Sequence, residues 1–62
     1  MLTDQQAEMR KQFVLPMEKA LAKAGATSVK TTWIQNIAET VAEFPGRSRR
    51  VRIIITDEEV EG

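Results

Sequence analysis

Four arginines crowd one stretch of the chain: Arg47, Arg49, Arg50 and Arg52. Guanidinium groups at this density are suited to contacting the phosphates of DNA or RNA, and Lys23 and Lys30 would extend the patch. An acidic run, Asp57, Glu58, Glu59 and Glu61, follows closely. It offers the arginines partners when two copies of the segment pair antiparallel, and it would repel a nucleic-acid backbone unless folded away. The whole chain carries nine basic and nine acidic side chains, a formal net charge of zero, so there is no globally basic footprint. The expectation is that the arginines pair with the acidic tail. Phosphate contact by Arg47, Arg49, Arg50, Arg52 and Lys30 is the alternative.

Catalysis has little to work with. The chain lacks His and Cys, the commonest general base and the thiol nucleophile, and with them the commonest transition-metal ligands and any disulfide. Ser28 and Ser48 therefore have no imidazole to activate them. Gly25, Gly46 and Gly62 stand alone and make no phosphate-cradling loop. The acidic run lacks the alternating pattern and central glycine of a calcium loop. A chain of 62 residues has little volume for a closed pocket. No catalytic residue, cofactor, metal or small-molecule substrate is expected, and the chain is read as a non-enzyme.

Trp33 is the only tryptophan and forms the aromatic set with Phe13 and Phe44. A Trp on the shoulder of an amphipathic element packs in a core or dimer contact; otherwise it is the best candidate anchor for a protein partner. Met9 and Met17 read as core filler.

These residues must be positioned by three segments of one small domain, 1–62. From Thr3 to about Ala24, Met9, Phe13, Met17 and Leu21 recur every fourth residue, an apolar stripe at helical spacing. Thr3 and Gln6 make a capping-box pattern, and Gly25 is a natural stop. Pro16 cannot donate to the carbonyl of Gln12 and crowds that turn. Either the helix breaks near Leu15 or it kinks; the unbroken stripe favours a kink at Pro16.

The segment Ala26–Thr31 is strand, linker or helical turn. From Thr32, a second capping-box pattern with Gln35 precedes Ile34, Ile37, Ala38, Val41 and Phe44, which space as a second amphipathic helix ended by Pro45-Gly46. The stretch from Met17 to Val41 thus resembles a helix-turn-helix around Ala24-Gly25-Ala26. That resemblance implies that Thr27, Ser28, Lys30 and Thr31 lie near the start of a base-reading helix. Ribbon-helix-helix dimers carry their strand first, whereas here it comes last, so that order does not match.

Val51–Thr56, with three successive isoleucines, is the clearest strand. Its backbone needs a partner. Inside the chain only Thr27–Thr31 is a candidate. The alternative is a second copy, paired antiparallel about a two-fold axis at Ile54, which sets Arg50 opposite Glu58 and Arg49 opposite Glu59. Val51, Ile53 and Ile55 then share a face that the helices cover, and Arg50, Ile54 and Glu58 share the other.

The resulting expectation is an α+β protein: two amphipathic helices, the first kinked at Pro16, followed by a C-terminal strand that pairs across a homodimer. Its interface would comprise Arg50, Val51, Ile53, Ile54, Ile55 and Glu58, with 58–62 a frayed acidic tail. The function expected is a non-catalytic, macromolecule-binding regulator or adaptor with an unidentified protein partner. The alternative is a small dimeric DNA-binding regulator. No apolar run approaches membrane-spanning length, and no signal-peptide pattern opens the sequence, so the expected location is the cytoplasm.

Overall fold

A computed structural model describes residues 1–46 and 49–60. One helix is followed by a three-stranded antiparallel sheet. The helix is α-helical over Asp4–Met9, π-helical over Arg10–Val14 and α-helical again over Leu15–Lys23. The strands are β1 (Ser28–Ile34), β2 (Ile37–Phe44) and β3 (Arg49–Thr56), in spatial order β1-β2-β3.

The helix starts where the capping box places it. The Thr3 side chain accepts from the Gln6 N–H, and the Gln6 side chain accepts from the Thr3 N–H. It ends in a Schellman closure: the Ala26 N–H bonds the Leu21 carbonyl and the Gly25 N–H bonds the Ala22 carbonyl. Gly25 sits at φ 109°, a conformation that side chains with a Cβ rarely adopt.

Pro16 does not break the helix. The turn before it opens into the π-helical stretch, in which the Leu15 N–H donates to the Arg10 carbonyl, five residues back. A π turn adds one residue to the helical circuit, so the apolar stripe slips by one. Met9 and Val14 are buried at 1% exposure each, and Phe13, which the fourfold spacing put in the stripe, is 51% exposed.

The second helix is absent. Ile34 and Ile37 close a two-residue hairpin through Gln35 and Asn36, pairing β1 with β2. The supposed second capping residue, Thr32, lies in mid-strand opposite Glu39. The helix-turn-helix resemblance fails with it, since Ser28–Thr31 lie in β1 and make no recognition helix. Pro45-Gly46 does end an element, but that element is β2.

The strand expected at Val51–Thr56 is present. Its intrachain neighbour is β2, not Thr27–Thr31, with Ala38, Thr40 and Ala42 opposite Ile55, Ile53 and Val51. Within the monomer the strand therefore has a mate without a second copy. The hydrogen bond from the Asp57 N–H to the Asn36 carbonyl, 3.0 Å, extends this ladder. Hydrogen-bonded pairs alternate along antiparallel strands. The backbone groups of Val51, Ile53 and Ile55 hence point at β2, and those of Arg50, Arg52, Ile54 and Thr56 point to the outer edge.

The helix covers one face of the sheet. Met9, Val14 and Ala38 form the buried cluster, with Trp33 and Ile55 packed against it. Under the helix the central strand carries small side chains, Ala38, Thr40 and Ala42, all completely buried. Polar links tie the layers, among them the bond from the Gln5 amide to the Asp57 carboxylate at 3.3 Å. The Gln6 amide donates to the Gln35 carbonyl at 2.9 Å. The Thr31 hydroxyl donates to the Glu18 carboxylate at 2.6 Å and lies 2.7 Å from the Thr40 hydroxyl.

Candidate functional site

The sheet face away from the helix is uncovered, and the register orders its side chains in rows. Ser28, Glu43 and Arg50 form one row; then come Lys30, Val41 and Arg52; then Thr32, Glu39 and Ile54; then Ile34, Ile37 and Thr56. One end of this face is charged and the other apolar. At the apolar end Ile34 is 69% exposed, Ile54 60% and Ile37 37%. With Thr32 and Glu39 they line a shallow depression.

A cluster of three exposed isoleucines on a pleated surface has a local origin. The hairpin requires Ile34 and Ile37 to be opposite each other, so both project from the same face. Pairing of β2 with β3 brings Ile54 beside Glu39, one row away. Burying such side chains against a partner contributes roughly 1.5–3 kcal/mol each when complete, so this patch is where the uncovered face has most to gain from contact.

The charged end is partly neutralised within the chain. Arg52 Nε lies 3.8 Å from Glu39 Oε2, with both side chains about half exposed; a pair of this kind contributes about 1 kcal/mol at most. Glu43 stands directly across from Arg50. Within the chain, Arg52 is bridged to Glu39 of the neighbouring strand, and Glu58 and Glu59 lie exposed beyond the end of β3.

The arginines do not make one patch. Arg50, Arg52 and Lys30 share the uncovered face, with Lys30 on the far strand in the row of Arg52. Arg49 belongs to the helix side, with its guanidinium 5.9 Å from the centre of the Phe44 ring. Arg47 lies outside the described residues.

The residues proposed for a dimer interface also divide between faces. Val51, Ile53 and Ile55 are half-buried on the helix side, and Arg50 and Ile54 are exposed on the other. That alternation is the one the sequence implies. Trp33 packs against the buried cluster, so its indole belongs to the core edge. Sequence reasoning missed Ile34 and Ile37 as an exposed pair. The available signal was two polar residues, Gln35-Asn36, between two apolar runs, a hairpin pattern.

Among the described residues, no group of three or more His, Cys, Asp or Glu side chains is placed to hold a metal ion, and no helix is long and apolar enough to cross a membrane. No family model matches the chain, and no curated protein or solved structure matches it.

Proposed function

We propose that this chain is a non-catalytic protein-binding module that acts as a homodimer and meets its partner with the uncovered sheet face. The observation that carries this reading is the exposed Ile34–Ile37–Ile54 cluster, rimmed by Lys30, Glu39 and Arg52. An apolar centre with a charged rim is the anatomy of a protein interface. The depression on this face, about 100 Å³, is smaller than the pockets that take small molecules, which favours a partner's surface.

The test is selection of peptides from a random library against the native chain. Selected peptides should shift the backbone amide resonances of Ile34, Ile37 and Ile54. Ile34→Asp, at a highly exposed position, should leave the fold intact and abolish binding. Peptides that map to the helix, or that bind the variant equally well, would count against the reading.

The DNA-binding alternative rests on Lys30, Arg50 and Arg52 sharing that face. It predicts binding to mixed-sequence duplex DNA that weakens steeply with salt. Absence of binding at low salt removes it.

A further inference from the structure

We infer that the homodimer forms by antiparallel pairing of β3 with β3 of a second copy, about a two-fold axis at Ile53. This deepens the homodimer reading above and rests on it. Three observations lead to it.

The first is the free edge. β3 has one neighbour in the described sheet, and the backbone groups of Arg50, Arg52, Ile54 and Thr56 face outward. An edge of this length with isoleucines on both faces is a template for another strand.

The second is incomplete cover. On the helix side Ala38, Thr40 and Ala42 of the central strand are fully buried, but Val51, Ile53 and Ile55 beside them are only half-buried. The helix leaves the β3 edge short of apolar neighbours. A second β3, bringing the same three residues, supplies them.

The third is charge, which selects the register. Outward-facing residues must meet outward-facing residues, so the axis falls on a residue or on its neighbour in the strand. An axis at Arg52 sets arginine against arginine. An axis at Ile54 sets Asp57 against Val51 on the helix side. Asp57 does lie on that side, since its carboxylate accepts from the Gln5 amide at 3.3 Å. The Ile54-centred register read from the sequence therefore places a carboxylate against an aliphatic side chain. An axis at Ile53 avoids both faults. It sets Ile53 against Ile53, Val51 against Ile55 and Arg49 against Asp57, all on the helix side. On the other face Arg52 stands opposite Ile54 of the second copy and not opposite another arginine, and its guanidinium stays with Glu39 of its own chain. The two uncovered faces merge into one, with an Ile34–Ile37–Ile54 cluster on each side of the axis.

The chain has no cysteine, so engineered thiols report the register directly. Across the axis the two Ile53 residues form a non-hydrogen-bonded pair with Cα atoms about 4.5 Å apart, within disulfide range. The two Ile54 residues would be diagonal neighbours, about 7–8 Å apart and beyond it. Under mild oxidation Ile53→Cys should give a covalent dimer and Ile54→Cys should not. In the unaltered chain, a mixture of isotope-labelled and unlabelled protein should show an intermolecular Hα–Hα contact between the Ile53 residues, which serves if the cysteine variant fails to fold. Sedimentation equilibrium should give twice 7.0 kDa. A mass of 7.0 kDa at high micromolar concentration overturns the homodimer reading and this inference together. A dimer that crosslinks through Ile54→Cys, or one showing neither crosslink nor Ile53 contact, overturns this register and leaves the homodimer standing.

Discussion

The Thr40 hydroxyl, completely buried at the centre of the sheet, lies 2.7 Å from that of Thr31, and Thr31 in turn lies 2.6 Å from the Glu18 carboxylate. A hydroxyl has one proton. Thr31 gives its own to Glu18, so Thr40 is the donor to Thr31. The chain of donors runs from the middle strand outward to the helix, and it fastens the two layers where the central strand presents only Ala38, Thr40 and Ala42 to the helix.

That direction of donation predicts unequal costs. Thr40→Val removes the first donor and leaves Thr31 still bonded to Glu18, so it should change stability by less than about 1 kcal/mol. Thr31→Val strands the buried Thr40 hydroxyl and deprives Glu18 of its donor, and should cost about 1–3 kcal/mol. Urea unfolding of the two variants compares them; an equal or larger loss for Thr40→Val would reverse the assigned direction.

The π-helical turn makes a second prediction. Relative to a continuous α-helix, Arg10–Val14 contains one residue too many, and Pro16 lies just past it. Deleting Gln12, whose side chain bonds only Glu8 among the described residues, should restore α spacing between Met9 and Val14. The proline ring would then crowd a carbonyl four residues back, at a cost of about 3 kcal/mol. Combining the deletion with Pro16→Ala removes that clash. The double variant should keep native helicity by circular dichroism and unfold at a higher urea concentration than the deletion alone. Equal midpoints would detach the π turn from the proline.

The hairpin supplies a third. Gln35 adopts φ 51°, in the left-handed region, which costs an ordinary L-residue roughly 1–2 kcal/mol. Its contact with Gln6 uses only the Gln35 carbonyl, so a glycine keeps the bond. After glycine's greater loss of chain entropy, Gln35→Gly should raise stability by about 0.5–1 kcal/mol. Gln35→Val, β-branched at positive φ, should lower it. A fall in melting temperature for the glycine variant would refute the argument.

What the sequence made legible was local. The Thr3–Gln6 cap, the stop at Gly25 and the β3 strand with its two faces each depend on residues within one turn or one pleat. The hairpin was lost because its hydrophobic signal is inverted. Ala38, Thr40 and Ala42 face the helix and must be small for the layers to approach, while Ile37 and Val41 point the other way. The larger apolar residues alone, Ile34, Ile37, Val41 and Phe44, imitate helical spacing. Phe13 misled for a related reason: the π turn moves the buried position to Val14, and no spacing rule for an α-helix contains that extra residue. The exposed Ile34–Ile37 pair became visible only once the hairpin was known.

Trp33 tests the division between core and surface. Its indole packs against the cluster formed by Met9, Val14 and Ala38 and lies on the helix side of the sheet, so its loss should be felt as unfolding before it is felt as lost recognition. Trp33→Ala should cost about 3 kcal/mol, the lower end for removing a large aromatic, because the ring is only half-buried. Trp33→Phe should recover most of that by refilling the space. As the single tryptophan, Trp33 also reports on itself: its emission should shift to longer wavelength in step with loss of helical circular dichroism during urea unfolding. Peptides selected on the Ile34–Ile37–Ile54 face should leave that emission little changed. Quenching of Trp33 by such a peptide in the folded protein, with Trp33→Ala retaining native stability, would move the indole from the core to the recognition surface.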